Sequence, residues 1–435
     1  MVPMDDAVCR RMREDWNQGA RSDAKYFVAF GRRNQDEDEF FASGLDLATA
    51  IARQFHRLPG RPVPRCRRAL EIGCGLGRLM RPLSRQVGEI HGIDVSDEMV
   101  RGARERLAGI PNAHVHHGGG ADLAAFADDS FDLVYSYAVF QHIPSREVVF
   151  RYLWEARRVL APGGVFWFQA NGLPGVEEAP DTWRGVRVSA SEMAAFAREA
   201  GLLLMAVEAA ATKYMAVTLQ KPRPNAPCPA SPPRIRRITD AHSSVPVVPA
   251  SGRWAFISLW IEGLFADSDL HTLQVTVAHG IAPPLYLGPV FGPPESGGLQ
   301  QFNVQLPPGV APGLQPVELL YRGALIAPPS FLRVIPPGPT VPRLVSLSDA
   351  VDLLSTTRIL SRAIKAGFEE IQDFSQFSAA VDGVPVAEFE ARSIDPIPPL
   401  FEVTFPLPDA IGPGPHRLEL AVGARRFGPI VIEVA

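Results

Sequence analysis

The pattern of apolar and polar residues divides the chain near residue 220. Before that point, short apolar runs alternate with stretches that have apolar residues every three or four positions, which predicts alternating strands and helices. The predicted strands are 68–72, 89–94, 113–117, 131–136, 164–170, 203–209 and 214–220. The predicted helices are 78–87, 97–109, 145–160 and 189–200. This order is typical of an α/β domain that ends in a reversed hairpin, and residues 1–60 predict a helical cap before its first strand.

After residue 220 the pattern changes to short apolar runs that are separated by Pro and Gly, which is typical of all-β structure. Residues 221–245 predict a stiff Pro-rich linker. Residues 246–336 and 340–435 predict two immunoglobulin-like β sandwiches. The stretches LPPGVAPGLQPVELLY and LPDAIGPGPHRLELAVG are mutually similar, which favours two related units. The run at 358–374 has helical periodicity, which leaves a helix inserted in the second sandwich as one interpretation.

Length, charge and cysteine content narrow the class of protein. A chain of 435 residues with a hydrophobic content of 46% is long enough for two or three globular domains. Its net charge of −4 does not indicate binding to nucleic acid or to an anionic membrane. The N-terminal residues lack an apolar signal region, and no apolar stretch is long enough to span a bilayer. The four cysteines lack zinc spacing. We therefore expect a bacterial cytoplasmic protein.

The run ALEIGCGLGRLM at 69–80 is the most informative motif. A short apolar strand carries Glu71 near its end and is followed by Gly73, Gly75 and Gly77, after which a helix is predicted. Glycines allow the backbone to approach a ligand closely. A second strand ends in Asp94, where a carboxylate can accept hydrogen bonds from both hydroxyls of a ribose.

Two classes of nucleoside cofactor compete for this motif. A dinucleotide needs the spacing G-x-G-x-x-G, which places a pyrophosphate at a helix N-terminus. Here the spacing is G-x-G-x-G, and the carboxylate of Glu71 would repel a pyrophosphate but suits a cationic amine. A nucleotide-binding oxidoreductase is therefore the less favoured interpretation, and a glycine turn without a ligand does not explain the two carboxylates.

This motif, with GIDVSDEM at 92–99, resembles motif I and the following stretch of the class I S-adenosylmethionine-dependent methyltransferases. The resemblance is carried by residues 60–172 and extends over 1–220. It implies a Rossmann-like seven-stranded methyltransferase sheet, with S-adenosyl-L-methionine as cofactor. The implied role of Glu71 is to hold the ammonium, and that of Asp94 is to hold the ribose. The other binding positions that it implies are Gly73, Cys74, Gly75, Gly77, Val95 and Met99, the last two also being explained as ordinary core.

The resemblance is weaker after the third strand. In the family an Asp there usually contacts the adenine amino group, but the matching place holds Gly119 or Gly120. Asp122 lies slightly later and is our candidate adenine ligand, with the amide of Leu123 reaching the ring; a helix N-cap is the alternative role for Asp122. His114, His116 and His117 alternate along a strand without a carboxylate partner, so we expect no metal site.

The loop after the fourth strand lies beside the methionine part of the cofactor in the family and faces the methyl acceptor. It begins with Ser136 and Tyr137, which we expect to contact the cofactor. Gln141 and His142 follow as polar candidates on the acceptor side. His142 is our candidate catalytic base, because an imidazole titrates near neutral pH; a structural histidine is the alternative.

The sequence therefore predicts methyl transfer to an unidentified small-molecule or saccharide acceptor, with the acceptor held in line with the sulfonium methyl group. The sandwiches are recognition or spacer units by fold analogy, so a protein or polymer partner is a further expectation. Two other interpretations stay open: a non-catalytic scaffold that keeps a methyltransferase-like domain, and a polysaccharide-associated surface protein. The Pro-rich linker predicts that residues 1–220 fold without the rest.

Overall fold

A computed structural model describes residues 6–29, 35–58, 67–175, 179–252, 254–290, 298–338, 341–351, 355–371, 374–396 and 399–435. The chain forms two compact units. The first unit contains Met1–Val28, Asp36–Ala250 and Trp254–Pro336. The second contains Pro337–Ala435 with the short segments 29–35 and 251–253.

The α/β domain has seven helices and seven strands among its described residues. The helices are α1 (Asp6–Ala29), α2 (Glu37–Ala42), α3 (Leu45–Ala52), α4 (Met80–Leu83), α5 (Asp97–Leu107), α6 (Arg146–Val159) and α7 (Ala190–Ala200). The strands are β1 (Arg68–Ile72), β2 (Glu89–Asp94), β3 (Ala113–His117), β4 (Phe131–Ser136), β5 (Leu160–Ala170), β6 (Leu203–Glu208) and β7 (Met215–Gln220). Short 3₁₀ turns lie at Arg53–Arg57 and Phe140–His142. The helix predicted at 78–87 is reduced to α4, and α1 is kinked at Asp23, where φ is −167°.

Serine side chains begin three of the helices. Ser96 accepts a hydrogen bond from the amide of Met99 at the start of α5, and Ser145 has the same role at the start of α6. Ser189 and Glu192 form a reciprocal capping box at the start of α7. Such caps satisfy amides that have no partner within the helix. Gly201 ends α7 with a φ of +63°, a conformation that glycine adopts without steric cost.

The central strands are parallel, and their carboxyl ends meet at one edge of the sheet. β1 lies between β2 and β4, with Glu71 beside Gly92 on one side and beside Tyr135 on the other. β3 pairs with β2, and β5 pairs with β4, all in parallel. β7 then runs antiparallel to both β5 and β6, as the predicted reversed hairpin requires. Ligands of open α/β sheets bind beyond the carboxyl ends of the strands, so this edge is the place for a site.

The sheet does not end at β6, because it continues into the all-β part of the chain. The order β3-β2-β1-β4-β5-β7-β6 continues through four strands of the all-β part, which are β13 (Pro284–Pro289), β14 (Leu299–Gln305), β10 (Phe256–Glu262) and β8 (Arg234–Asp240). The connection is the pairing of Ala206 in β6 with Tyr286 in β13. β8 (Arg234–Asp240) lies inside the segment 221–245, which the sequence predicted to be a linker. Ile235 and Ile238 of this stretch pair with Ile261 and Leu259 of the neighbouring strand β10, and this pairing outweighs the Pro-rich composition around it.

The first β module consists of β8 and nine further strands that form two sheets around one core. These strands are β9 (Val247–Pro249), β10 (Phe256–Glu262), β11 (Leu273–Val277), β12 (Gly280–Ala282), β13 (Pro284–Pro289), β14 (Leu299–Gln305), β15 (Gly313–Tyr321), β16 (Ala324–Leu325) and β17 (Ser330–Ile335). One sheet is the continuation of the α/β sheet, and the other has the order β12-β11-β15-β17-β9 with β16 beside β15. Buried side chains of both sheets belong to the same apolar cluster, which also includes helices of the α/β domain.

The second β module repeats the strand order of the first. Its strands are β18 (Arg343–Asp349), β19 (Arg358–Ile359), β20 (Ala363–Glu369), β21 (Phe377–Val381), β22 (Val384–Pro385), β23 (Glu390–Pro396), β24 (Pro399–Pro406), β25 (Gly414–Val422) and β26 (Arg425–Val434). The orders β23-β24-β20-β18 and β22-β21-β25-β26-β19 match those of the first module strand for strand. The two similar stretches noted in the sequence lead into β15 and β25, which hold equivalent positions.

The helix considered at 358–374 is not formed, so that interpretation is wrong. The described residues of this segment form β19 and β20 instead. Ile364, Ala366 and Phe368 are all buried at alternate positions, which is the period of a strand. Arg362 between the two strands has a φ of +57°, which interrupts helical geometry. No helix in the described part of the chain is long and apolar enough to cross a membrane.

Candidate cofactor and acceptor site

The glycine loop after β1 has the conformation that its residues require. Gly73, Gly75 and Gly77 have φ values of +74°, +51° and +78°. The amide of Gly73 donates to the carbonyl of Ile93 at 2.8 Å, which ties the loop to the end of β2. A β-carbon on Gly73 would lie 2.3 Å from a methyl group of Val139, and one on Gly75 would lie 2.7 Å from a methyl group of Val28. Val139 and Val28 therefore pack directly against the backbone of the loop, and only glycine leaves room for this close contact.

The other two loop positions have packing roles. A β-carbon on Gly77 would lie 2.7 Å from Leu107 in α5, so this glycine allows close contact between the loop and a helix. The side chain of Cys74 is buried below the loop, and burial raises the pKa of its thiol well above its usual value. At the predicted binding position Cys74, the backbone is therefore the part nearer to a ligand.

Asp94 is held rigidly at the end of β2. Its carboxylate accepts hydrogen bonds from the amide of Gly75 at 2.8 Å and from the amide of Ser96 at 2.9 Å. Burial raises the pKa of Asp94, and these two backbone bonds oppose that effect. Each oxygen keeps a lone pair beyond the bond that it accepts, so the group can accept from two further donors such as a pair of ribose hydroxyls.

Glu71 is the second carboxylate of the site and is buried, with 4% of its surface exposed. Burial raises its pKa to about 8, while a hydrogen bond from Tyr135 and the charge of Arg78 act in the opposite direction. The Tyr135 hydroxyl donates to Glu71 at 2.9 Å. A buried carboxylate with a raised pKa gains most from a cationic ligand, because a cation compensates for the lost hydration of the charge.

Helix α1 covers the cofactor loops from the N-terminal side of the sequence. The side chain of Asn17 accepts from the Ser96 hydroxyl at 2.7 Å and from the amide of Glu98 at 3.1 Å, and it donates to Asp97 at 3.2 Å. Val28 lies above Gly75. Helix α1 thus contacts both the glycine loop and the end of β2, and Asn17 was not among the residues singled out from the sequence.

Val95 and Met99 have different environments. Met99 is 2% exposed and belongs to the core. Val95 is half-buried, and its methyl group would lie 2.9 Å from a β-carbon on Gly120. Of these two predicted binding positions, Val95 therefore has accessible surface, whereas Met99 has the environment of ordinary core.

Asp122 and Leu123 make internal contacts in the loop after β3. Asp122 accepts from the amide of Ala124 at 3.2 Å, which is a turn rather than the N-cap of a helix. The amide of Leu123 donates to Glu155 of α6 at 3.0 Å, so it is not the free donor to an adenine ring that we expected. The sequence could not reveal this pair, since its partners are separated by more than 30 residues.

The loop after β4 is anchored at its start by Ser136 and contains a strained residue, Ala138. Ser136 donates its hydroxyl to the carbonyl of Ile72 at 2.9 Å, which joins the ends of β4 and β1. Tyr137 is half-buried, with the guanidinium of Arg78 5.9 Å from its ring centre. Ala138 has a φ of +55°, which is uncommon for a residue with a β-carbon and is typical of functional loops. Ser136 thus fixes the loop, whereas Tyr137 has surface available to a ligand.

Gln141 and His142 are both buried in the turn that follows. Nδ1 of His142 lies 3.1 Å from the carbonyl oxygen of Trp183. Since a carbonyl only accepts, Nδ1 carries the proton, and Nε2 is the basic nitrogen of the neutral ring. Burial lowers the pKa of His142 to about 4, so the ring is neutral at physiological pH. Oε1 of Gln141 is buried and has no hydrogen-bond partner among the described residues.

Aromatic side chains surround this histidine. Trp16 of α1 packs edge-on against the His142 ring at 5.6 Å between ring centres, and Trp183 lies at 6.0 Å. Phe27 packs against Trp183 at 5.9 Å. Trp183 keeps 46% of its surface exposed. The sequence did not indicate these three residues. Helix α1 and the 181–185 turn approach His142 through tertiary packing, which local sequence patterns do not reveal.

The histidines of β3 contact residues of β2 and α5. His91 and His116 are stacked, with Nδ1 and Nε2 3.0 Å apart, and His114 lies 4.9 Å from His91 between ring centres. Burial lowers the pKa of His91 to about 4. His117 lies on the other side, 3.1 Å from Asp97. These contacts give the cluster a packing role on the sheet.

Comparison with known proteins identifies the domain. Residues 70–168 match the sequence profile of the family described as methyltransferase domain. The chain is 35% identical over 135 residues to trans-aconitate 2-methyltransferase of Variovorax paradoxus, covering 30% of this chain and 47% of that protein. It is 36% identical over 101 residues to demethylmenaquinone methyltransferase of Staphylococcus aureus, covering 22% of this chain and 40% of that protein. The chain thus spans less than half the length of these curated relatives.

The chain is also similar to two solved structures. One is a SAM dependent methyltransferase from Aquifex aeolicus, which is 20% identical with a TM-score of 0.31; the match covers 42% of this chain and 92% of that protein. The CcbJ methyltransferase from Streptomyces caelestis is 20% identical, with a TM-score of 0.32, and covers 42% and 90%.

The matched segment is a class I S-adenosylmethionine-dependent methyltransferase domain, and the cofactor of this class is S-adenosyl-L-methionine. The residues present fit this cofactor. The three glycine positions of the loop have no room for a β-carbon, Asp94 offers acceptors for hydroxyl groups, and Glu71 is a buried carboxylate suited to an ammonium. The two carboxylates lie on adjacent parallel strands, at the ends where ligands of this fold bind.

Proposed function

We propose that this protein transfers a methyl group from S-adenosylmethionine to a small-molecule acceptor. The observation that carries the proposal is the pair of carboxylates, the buried Glu71 and the half-buried Asp94, on either side of the glycine loop Gly73–Gly77. Desolvating two carboxylates without a compensating ligand is costly, so their retention favours a bound cofactor that carries both an ammonium and hydroxyl groups. This argues against the scaffold interpretation.

The residues of the loop have separate tasks in holding the cofactor. Asp94 would accept from the ribose hydroxyls, and Glu71 would neutralise the ammonium. Tyr137 and Val95 offer the accessible surface beside them. Arg78 has 7% of its surface exposed and donates to the carbonyl of Ser43 at 3.1 Å. When bound, the cofactor supplies an electrophilic methyl group on sulfur.

The acceptor side is bounded by His142 and three aromatic rings, those of Trp16, Phe27 and Trp183. Such walls favour an acceptor with a flat or apolar body, since aromatic surfaces contribute mainly through apolar contact. The buried Oε1 of Gln141 would accept a hydrogen bond from the acceptor. The two curated relatives are named for trans-aconitate and demethylmenaquinone. These names are compatible with a small-molecule acceptor rather than a saccharide acceptor.

His142 would remove the acceptor proton through Nε2. The bond from Nδ1–H to the Trp183 carbonyl orients the ring and leaves Nε2 as the acceptor nitrogen. The low pKa of His142 keeps this nitrogen unprotonated at neutral pH, although it also makes the ring a weak base. Holding the acceptor in place is then the larger contribution, because orientation alone contributes about 7–11 kcal/mol in favourable cases.

The β modules would act as recognition or spacer units of immunoglobulin-like type, and a protein or polymer would be their partner. The proposed location is the bacterial cytoplasm. The proposed cofactor and acceptor site consists of residues of the α/β domain alone.

Isothermal titration calorimetry with S-adenosylmethionine and its demethylated product tests the function. Asp94→Ala removes a charge-assisted hydrogen bond to ribose, which is worth about 1.5–3 kcal/mol, so affinity should fall roughly tenfold to a hundredfold. Glu105→Ala is the matched control, because Glu105 is an exposed carboxylate on α5. If Asp94→Ala and Glu71→Ala both bind like the unaltered protein, the assignment is wrong.

A further inference from the structure

A cavity of about 440 Å³ lies inside the first unit, away from the cofactor loops. Leu203 and Met205 of β6 contribute to it from the α/β domain, and Leu264 and Phe265 contribute from the first β module. Its volume falls in the range of about 300–1,000 Å³ that is usual for small-molecule sites. The α/β domain and the first β module therefore border a space of ligand size, near the place where the sheet continues from β6 to β13.

This cavity lies at the opposite end of the sheet from the cofactor site. Gly163, near the start of β5, lines the cavity, whereas the carboxyl end of β5 is Ala170. A strand rises about 3.3 Å per residue, so these positions are roughly 20 Å apart. A ligand in the cavity would not compete directly with the cofactor.

The charged side chains that line the cavity are cationic. They are Arg57, Lys221 and Arg223, and none of the described residues lining it is Asp or Glu. Lys221 is already paired, because its ammonium donates to Asp129 at 2.6 Å. Arg57 donates to the carbonyl of Leu287 and to the side chain of Gln54, and the carboxylate of Glu208 lies near enough to act on its charge. No carboxylate among the described residues pairs with Arg223, so this guanidinium leaves the cavity with an uncompensated positive charge.

A buried hydroxyl adds a second polar feature. Ser268 lines the cavity and has 5% of its surface exposed. Its Oγ is buried and makes no hydrogen bond within the described part of the chain. A buried hydroxyl without a partner costs free energy, and a ligand oxygen would satisfy it.

We propose that this cavity binds a small organic anion that has an apolar body, such as a medium-chain carboxylate. The carboxylate pairs with Arg57 and Arg223, and the apolar body packs against Leu203, Met205 and Phe265. The fit follows from charge and from wall chemistry together, since a purely apolar ligand would leave the guanidinium of Arg223 without a counter-ion. This site is separate from the proposed methyl transfer, and its occupancy would be independent of the cofactor.

Calorimetry with octanoate as the probe tests the proposal on the full chain. Octanoate should bind with one-to-one stoichiometry, and octanamide, which has the same shape without the charge, should bind at least tenfold more weakly. Arg223→Gln and Arg57→Gln should each weaken octanoate binding at least tenfold. Arg333→Gln is the matched control, because Arg333 is an exposed arginine on β17 of the same module, and its affinity should stay within twofold.

The demethylated product of the cofactor serves as the competition control. Its presence at saturation should leave octanoate affinity unchanged, because the two sites lie at opposite ends of the sheet. Arg223 is exposed, so its variant should fold even where Arg57→Gln is unstable in a thermal melt. Absence of octanoate binding, equal binding of octanamide, displacement by the cofactor product, or an unchanged affinity of Arg223→Gln would each overturn the proposal.

Discussion

Tyr135 and Glu71 form a buried hydrogen bond of 2.9 Å between neighbouring parallel strands, β4 and β1. The pair lies on a sheet face that is otherwise apolar, with Ala69, Leu133 and Val165 around it. Burial raises the pKa of Tyr135 well above its usual value, so the tyrosine keeps its proton and donates to Glu71 whenever that carboxyl is ionised. The bond therefore orients the carboxylate of Glu71 and leaves its charge to be compensated by a cation.

This pair predicts that cofactor binding depends on pH. The pKa of Glu71 is about 8 without a ligand, so the carboxyl is mainly protonated at pH 6. Binding of an ammonium requires the ionised form. Affinity for S-adenosylmethionine should therefore rise with pH between 6 and 8, by up to about tenfold per pH unit, with release of a proton on binding. Calorimetry at several pH values, in two buffers of different ionisation enthalpy, measures both quantities.

Glu71→Gln is the control for this prediction. The cofactor's own amine titrates near pH 8, and this titration is present in both proteins. The variant should bind more weakly at pH 8 and show a flatter profile below it. If the two proteins show the same slope between pH 6 and 8, Glu71 is not the group that holds the ammonium.

A second prediction concerns His142 and stability in acid. Its pKa is lowered from 6.5 to about 4 in the folded protein, because the ring is buried. Between these values the unfolded chain binds more protons than the folded chain, so the free energy of unfolding must decrease as pH falls. His142→Gln should remove about 1–3 kcal/mol of that decrease between pH 7 and pH 4.5, as measured by urea denaturation.

His416→Gln is an informative comparison. Asp382 raises the pKa of His416, so this histidine stabilises the folded state in acid and the contribution is lost as pH rises. Its removal should therefore change the pH profile in the opposite direction. His142→Gln should also leave cofactor affinity at pH 7 nearly unchanged. A profile for His142→Gln that is identical to that of the unaltered protein would contradict the assigned environment.

The third prediction concerns the junction of the two domains. The amide of Leu204 in β6 donates to Asp269 at 3.1 Å, and its carbonyl accepts from the amide of Leu270 at 2.9 Å. A chain that ends at Lys221 loses both bonds and exposes the edge of β6 with its apolar neighbours. We expect it to self-associate or to melt at a lower temperature, because an exposed strand edge pairs readily with other chains.

A chain that ends at Gly338 retains this junction. It should remain monodisperse by size-exclusion chromatography and should bind the cofactor as the full chain does. Equal solubility and equal melting temperature of the two truncated chains would favour the independent folding that the Pro-rich segment suggested.

The fourth prediction concerns a buried aspartate at the end of β18. Asp349 is fully buried and accepts hydrogen bonds from the amides of Val351, Leu360 and Ser361, all between 2.7 and 2.8 Å. Asp349→Ala leaves these amides without that acceptor. Stability of the second module should fall by about 2–4 kcal/mol, measured by denaturant unfolding.

Asp240 is the equivalent residue in the first module. It ends β8 and accepts from the amides of His242 and Ser243. Asp240→Ala should destabilise the first unit and leave the second unchanged, and Asp349→Ala should do the reverse. Two transitions that shift independently would support this, whereas an unchanged unfolding curve for either variant would contradict the role of that carboxylate.

The sequence by itself determined the local structure of the α/β domain. The bounds of β1, β2, β3 and β4 are those predicted, because each apolar run is short and is followed by a glycine, serine or acidic residue. The chemistry of the glycine loop was also readable, since three alternate glycines between Glu71 and Asp94 have a local conformational cause. Serine residues before α5, α6 and α7 act through bonds to amides only three residues away, so they too are visible in sequence.

Only the tertiary structure decided the contacts between distant segments. Tyr135 reaches Glu71 across 64 positions, and Trp183 reaches His142 across 41. The amide of Leu123 is bonded to Glu155 rather than available to adenine for the same reason. The β20 segment had a helix-like period, but strand pairing on both sides outweighed it. Strand pairing and side-chain packing depend on partners far along the chain, and local periodicity carries no information about which partner a strand or a side chain will have.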